Sequence, residues 1–108
     1  MRGRAALLPL ALALGACVSP GADRGLSLRP DPQGLGVAGS GGLVISFGRD
    51  GPGALAAATR VQGKSPTITG PDTCRVARWR DGLALHFAAG TFSGWSTANS
   101  QAGELCPL

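Results

Sequence analysis

The clearest tertiary pattern in the chain lies between residues 74 and 95, where three apolar stretches follow one another: RVARW at 75–79, LALHF at 83–87 and TFSGW at 91–95. Each stretch has the length of a strand, and turn-forming residues separate it from the next one. This arrangement predicts three antiparallel strands that are joined by two hairpins.

The first hairpin turn determines which side chains share a face of the sheet. The dipeptide Asp81-Gly82 by itself suggests a two-residue turn, which would set Trp79 away from Leu83. A three-residue turn with a left-handed Gly82 instead pairs Trp79 with Leu83. Because a slip of one residue would scatter the large apolar groups over both faces, we predict the three-residue turn.

The second hairpin leaves two registers open. A three-residue loop at residues 88–90 puts Trp95 near Leu83, whereas a four-residue loop puts Phe92 beside Phe87. The sequence alone does not decide whether Phe92 or Trp95 is buried.

An alanine-rich segment before these strands predicts a helix of about ten residues, which ends near Gln62. Asp50 is a suitable N-cap residue, and Pro52 suits the first turn. Gly63 suits the position just after the last turn. A helix of this length is marginal alone, so we expect it to lie on a sheet.

Two further short strands are predicted at residues 35–37 and 43–47, on either side of a glycine-rich turn. Leu43, Ile45 and Phe47 are expected to face the core. We therefore predict an α+β fold: a small antiparallel sheet of about four strands with one alanine-rich helix packed on it. The predicted domain covers residues 34–108.

The start of the chain has the pattern of a bacterial export signal. Arg2 and Arg4 precede a run over residues 5–16 that is apolar except for one proline and one glycine. A basic start, a short apolar stretch and a small-residue exit are typical of such signals. The run is too short for a transmembrane helix, which needs roughly 20 apolar residues.

The residues that close this run, Leu14-Gly15-Ala16-Cys17, resemble the lipobox of bacterial lipoproteins. The resemblance implies a signal peptide at 1–16, cleavage before Cys17 and fatty acyl chains on that cysteine. Residues 17–33 would then be a flexible tether between the membrane and the domain. Val18 stands where an acidic residue would signal retention in the inner membrane, so the resemblance favours the outer membrane, facing the periplasm. A plain secreted protein without lipid is the alternative.

Two cysteines remain once Cys17 is assigned to lipid attachment. Cys74 and Cys106 form an even pair in an oxidising compartment, which predicts a disulfide. It would close a loop of about 33 residues, worth roughly 3–4 kcal/mol in the chain-entropy model. A metal site is disfavoured, because the chain has no CxxC motif and His86 is its only histidine.

The net charge gives little reason to expect a nucleic-acid partner. The ten basic residues include Arg2 and Arg4, which would leave with the signal, so eight basic residues would face six acidic ones. The export signal argues against nucleic acid independently. The expected partners are the membrane, through the N-terminal lipid, and an envelope protein; the oligomeric state stays open.

No residue set in the sequence predicts catalysis, a cofactor or a metal. His86 alternates with Leu85 and Phe87 and is expected to be solvent-facing or hydrogen-bonded on its strand rather than a general base. Arg78, Arg80, His86 and Trp95 are the residues that we expect in a candidate interaction surface. The predicted function is a non-catalytic structural or protein-interaction role, with a periplasmic glycan- or peptide-binding module as the alternative.

A second resemblance covers about 50 positions of the domain. It consists of ISFGR at 45–49, a helix, GKSP at 63–66, a tryptophan-bearing strand and LALHF at 83–87. This order is similar to small outer-membrane lipoproteins of the SmpA/OmlA type, which are accessory subunits of outer-membrane assembly. The chain departs from that pattern in having one predicted helix rather than two, and strand material before it.

Overall fold

The structure, a computed structural model, describes residues 25–107. The predicted signal peptide, the lipobox-like residues 14–17 and most of the predicted tether lie outside these residues. The described part contains one helix and eight strands in this order: β1 (Ser27–Asp31), β2 (Gly34–Ala38), β3 (Val44–Ser46), α1 (Gly51–Gln62), β4 (Thr67–Thr69), β5 (Cys74–Arg78), β6 (Ala84–Ala88), β7 (Thr91–Ser96) and β8 (Gln101–Gly103).

The strands form two antiparallel sheets, one with the order β1-β2-β3 and one with the order β4-β5-β6-β7-β8. The predicted α+β class is confirmed, but the single sheet of about four strands is replaced by a three-stranded and a five-stranded sheet. Along the chain, α1 separates the three strands of the first sheet from the five strands of the second. An isolated bridge pairs Asp50, just before the helix, with Thr91 of β7.

Strand β1 lies within the range 17–33 that the sequence suggested as a tether. It pairs along its whole length with β2, from Ser27 opposite Ala38 to Asp31 opposite Gly34. Pro30 is compatible with this strand because β1 is an edge strand, where a missing backbone N–H is tolerated. The folded part of the chain thus begins before residue 34.

The hairpin between β2 and β3 differs from the prediction at one residue. Ile45 is buried, as expected from alternation, and Phe47 packs against the core. Leu43 was expected beside them but is 65% exposed. Leu43 belongs to the turn before β3, where its carbonyl accepts a hydrogen bond from Val37 N–H. Its side chain therefore does not follow the alternation of inward and outward residues along the strand.

The predicted register of the first hairpin in the five-stranded sheet is confirmed. Ala77 lies opposite Leu85, and Trp79 N–H donates to the carbonyl of Leu83 at 2.9 Å. Gly82 has φ of 99°, the left-handed conformation that the three-residue turn requires. The large apolar side chains share what we call the inner face of this sheet. The other side, which carries Val76 and His86, is the reverse face.

A β-bulge in β7 explains which of Phe92 and Trp95 is buried, which the sequence left open. Phe87 lies opposite Phe92 and Leu85 lies opposite Trp95, so Ser93 is an extra residue in β7. Residues three apart on a regular strand face opposite sides of the sheet. The extra residue turns both Phe92 and Trp95 inward, and both are buried.

The helix begins and ends as predicted. The Asp50 carboxylate accepts a hydrogen bond from Gly53 N–H at 2.7 Å, and Gly63 follows the last turn with φ of 77°. Ala54 and Ala58 are fully buried, while Leu55 and Val61 pack on the flanks of the same face. The small alanines let α1 approach β1 and β3 on one side and β7 on the other.

A C-terminal segment covers the reverse face. Cys106 forms a disulfide with Cys74, as predicted, and is buried beside Val76 and Ala84. The segment includes β8, which pairs with β7. Gly94 makes this possible, because a Cβ atom there would collide with the carbonyl oxygen of Glu104.

Candidate functional site

The candidate interaction surface expected from the sequence is not one surface in the structure. Arg78 and Arg80 are exposed, but His86 is only 3% exposed and Trp95 only 4%. The disulfide-linked tail covers His86, and the bulge in β7 turns Trp95 to the inner face. These two residues therefore cannot contribute a binding surface together with the arginines.

Arg78 and His86 do lie near one another, on the reverse face. The Arg78 guanidinium donates a hydrogen bond to Thr69 Oγ1 at 3.3 Å. Its positive charge contributes to lowering the pKa of His86. Trp95 faces the other way, and its indole Nε1–H donates to the carbonyl of Asp31 at 2.8 Å. That hydrogen bond connects the five-stranded sheet to strand β1 of the other sheet.

His86 is part of a closed polar network. Its Nδ1 accepts a hydrogen bond from Cys106 N–H at 3.0 Å, and its Nε2 lies 2.9 Å from Ser96 Oγ. Burial lowers the pKa of His86, and the charge of Arg78 lowers it further. The acceptor role of Nδ1 requires the proton to be on Nε2, which then donates to Ser96. The arrangement fastens the tail to the sheet and leaves the imidazole no access to a substrate.

An apolar groove of about 630 Å³ lies beside the first half of α1. Its floor and walls are apolar side chains from the helix and from the inner face of the five-stranded sheet: Pro52, Leu55, Ile68, Ala77 and Phe87. We refer to these five residues as the apolar groove. Its volume is within the range of small-ligand and peptide sites.

The groove exists because α1 covers only part of the inner face. The helix packs toward β7 and the three-stranded sheet, which leaves the side of β4 and β5 open. Gly51 N–H donates to the carbonyl of Gly90 at 2.7 Å, and this contact fixes where the helix begins. On the open side, Ile68 lies opposite the small Ala77 and is 46% exposed.

Few polar side chains line the groove, and the two charged ones are paired with each other. Arg75 and Asp72 form an ion pair with each other at the rim. Thr73 is the other polar side chain in the lining. Asp50, near the start of the helix, is used as its cap. The groove thus offers apolar contact area rather than convergent hydrogen-bonding groups.

One wall of this groove has a weak signal in the sequence. Ile68 stands between two threonines in a segment that is bounded by Pro66 and Gly70, which is consistent with a short strand. The sequence around Ile68 does not show that the helix leaves this strand uncovered, because the position of the helix depends on how α1 packs against β7.

Among residues 25–107, no group of three or more His, Cys, Asp or Glu side chains could hold a metal ion. In the same part of the chain, no helix is long and apolar enough to cross a membrane.

Comparison of the chain with protein-family models, with curated proteins and with solved structures returned no match.

Proposed function

We propose that this protein is exported, is anchored in the cell envelope by lipid on Cys17, and binds another envelope component without catalysing a reaction. The observation that carries the proposal is the disulfide between Cys74 and Cys106. Structural disulfides persist in oxidising compartments such as the periplasm. The lipobox-like residues 14–17 supply the anchor, and Val18 favours the outer membrane.

The apolar groove supports the binding role. The charges of Arg75 and Asp72 at the rim neutralise each other. The binding free energy of a partner would therefore come mainly from apolar contact and little from charge. A short apolar segment of another envelope protein fits this chemistry. The similarity to SmpA/OmlA-type lipoproteins stays a prediction, and it implies a partner in outer-membrane assembly.

A free ligand of the periplasm is the second candidate, and the groove's concave shape favours it. A peptide with apolar side chains suits the apolar lining better than a glycan does. Glycan hydroxyls need several hydrogen-bonding partners, and burying them unpaired is costly. The polar side chains Asp72, Thr73 and Arg75 are confined to the rim.

Fractionation of intact cells tests the anchor. Wild-type protein and Ser19→Ala, a control next to the lipobox, should stay with the membranes, and Cys17→Ser should move to the soluble periplasmic fraction. Mass analysis of the native protein should find acyl chains on the residue that follows Ala16. Retention of Cys17→Ser, or a soluble wild-type protein, would count against the anchor.

Photocrosslinking in the intact envelope tests the groove. A photoreactive benzoylphenylalanine at position 68 faces the groove, and the same residue at position 67 faces the reverse side of the same exposed strand. A discrete adduct should form from position 68 only. Pro52→Glu places a charge in the groove at a helix start that tolerates acidic residues, and it should abolish the adduct. Equal adducts from both positions, or none, would refute binding in the groove.

A further inference from the structure

The turn between β2 and β3 carries the most exposed large apolar side chain of the described residues. Leu43 is 65% exposed, and its neighbour Val44 is 48% exposed. Single exposed apolar residues are ordinary on protein surfaces and need no explanation. Leu43 and Val44 are adjacent, however, and they lie in a stretch from 32 to 48 that contains no charged residue.

This turn lies at the same end of the three-stranded sheet as the point where the chain enters the domain. β1 begins opposite the end of β2, with Ser27 facing Ala38. Gly25 and Gly39 are in close contact: a Cβ atom added to Gly39 would lie only 2.5 Å from the carbonyl oxygen of Gly25. Because β1 and β3 flank β2, the chain entry and Leu43 are separated by about two strand spacings, roughly 10 Å.

The opposite end of this sheet faces the rest of the domain. There, Asp31 accepts the hydrogen bond from Trp95, and Gln33 accepts one from Phe47 N–H. These two hydrogen bonds thus lie at the end of the sheet opposite Gly25 and Leu43.

The distance to the proposed lipid is short. Gly25 follows Cys17 by eight residue positions. A fully extended chain spans at most about 3.3–3.6 Å per residue, so the domain entry lies within roughly 26–29 Å of the lipid-bearing residue. A chain of this length limits how far the turn with Leu43 and Val44 can lie from the proposed lipid, and it allows the turn to reach the bilayer surface.

We propose that the β2–β3 turn, through Leu43 and Val44, rests in the surface of the membrane that holds the lipid anchor. The occupant of this apolar tip is the lipid bilayer, and the inference depends on the anchor proposed above. Insertion buries two apolar side chains without bringing a charged side chain of residues 32–48 into the lipid. It orients the domain with the three-stranded sheet toward the membrane and the five-stranded sheet away from it.

The test uses lipidated full-length protein that is purified from membranes and reconstituted into vesicles of phosphatidylethanolamine and phosphatidylglycerol, with and without brominated acyl chains. Leu43→Trp places an indole at the turn, and Ile68→Trp is the matched control at another exposed apolar residue, on β4. Both native tryptophans are buried, so the wild-type signal can be subtracted. Near-ultraviolet circular dichroism confirms that each variant keeps its fold.

We expect the wild-type protein and both variants to float with the vesicles. Brominated acyl chains should quench the fluorescence of the introduced tryptophan in Leu43→Trp but not in Ile68→Trp. Flotation with no quenching of Leu43→Trp overturns the inference and leaves the anchor intact. Equal quenching of both variants also overturns it, because the contact would not be specific to the turn. Failure of the wild-type protein to float refutes the anchor, and the inference falls with it.

Discussion

The backbone N–H of Cys106 donates a hydrogen bond to Nδ1 of His86 at 3.0 Å. The only histidine of the chain thus contacts the residue that is linked covalently to Cys74. Cys106 is thus attached to the reverse face in two ways, through the disulfide and through a hydrogen bond to a neutral imidazole. The two attachments respond to different conditions, since the disulfide responds to reductant and His86 to pH.

Stability should fall in mildly acidic solution because of His86. Burial lowers the pKa of this histidine from its usual 6.5 in the folded protein, so the unfolded chain takes up a proton first as the pH falls. The free energy of unfolding should therefore be highest above about pH 7 and should decrease as the pH drops through 6.5. Below the lowered pKa of the folded state, this contribution should no longer change. Urea unfolding at a series of pH values measures the profile.

His86→Asn provides the comparison for this profile. The amide oxygen can still accept from Cys106 N–H, but Asn does not titrate. We expect this variant to be less stable at neutral pH by about 1 kcal/mol, from the lost contact with Ser96. It should also lack the decrease just below pH 6.5. Ser96→Ala should keep the decrease, and a pH profile that is the same in His86→Asn and wild type would contradict the role of His86.

Removing the disulfide should cost a large part of the domain's stability. The bridge joins residues that are 32 apart in sequence, which corresponds to about 3–4 kcal/mol in the chain-entropy model. Urea unfolding of Cys74→Ala/Cys106→Ala should show this loss, and protease should then cut after residue 96 first. Cys17→Ser, which leaves the pair intact, is the control. Two free thiols in non-reducing mass analysis of the wild-type protein would sink the prediction.

Trp95→Phe should loosen strand β1 in particular. The change removes the indole N–H that donates to the carbonyl of Asp31, a hydrogen bond between residues 64 apart. A loss of about 1–2 kcal/mol is expected from that hydrogen bond, together with some loss of packing. Amide exchange should rise selectively at 27–31. Trp79→Phe, which loses a hydrogen bond to the Lys64 carbonyl, should leave that strand protected. Equal exchange at β1 in both variants would be evidence against the link.

The sequence predicted those features that depend on neighbouring residues. Asp50 and Gly63 mark the ends of α1 because capping is a matter of a few backbone groups on either side. Gly82 fixed the first hairpin register because a left-handed residue in that turn determines which residues face each other. The pairing of Cys74 with Cys106 followed from having two cysteines left over.

The features that were not predicted depend on distant contacts. The bulge at Ser93 is held by hydrogen bonds from its hydroxyl to the carbonyls of His86 and Glu104, which no local pattern reveals. His86 is buried by a tail that begins ten residues later. The candidate site shares this origin, because the apolar groove is the space that α1 leaves open when it packs against β7 rather than β4.

Both outer edges of the five-stranded sheet, β4 and β8, are only three residues long. An edge of that length presents few unpaired backbone groups to a neighbouring chain. Two neighbouring copies could therefore form few backbone hydrogen bonds through β4 or β8, and extending the five-stranded sheet from one molecule to the next would gain little.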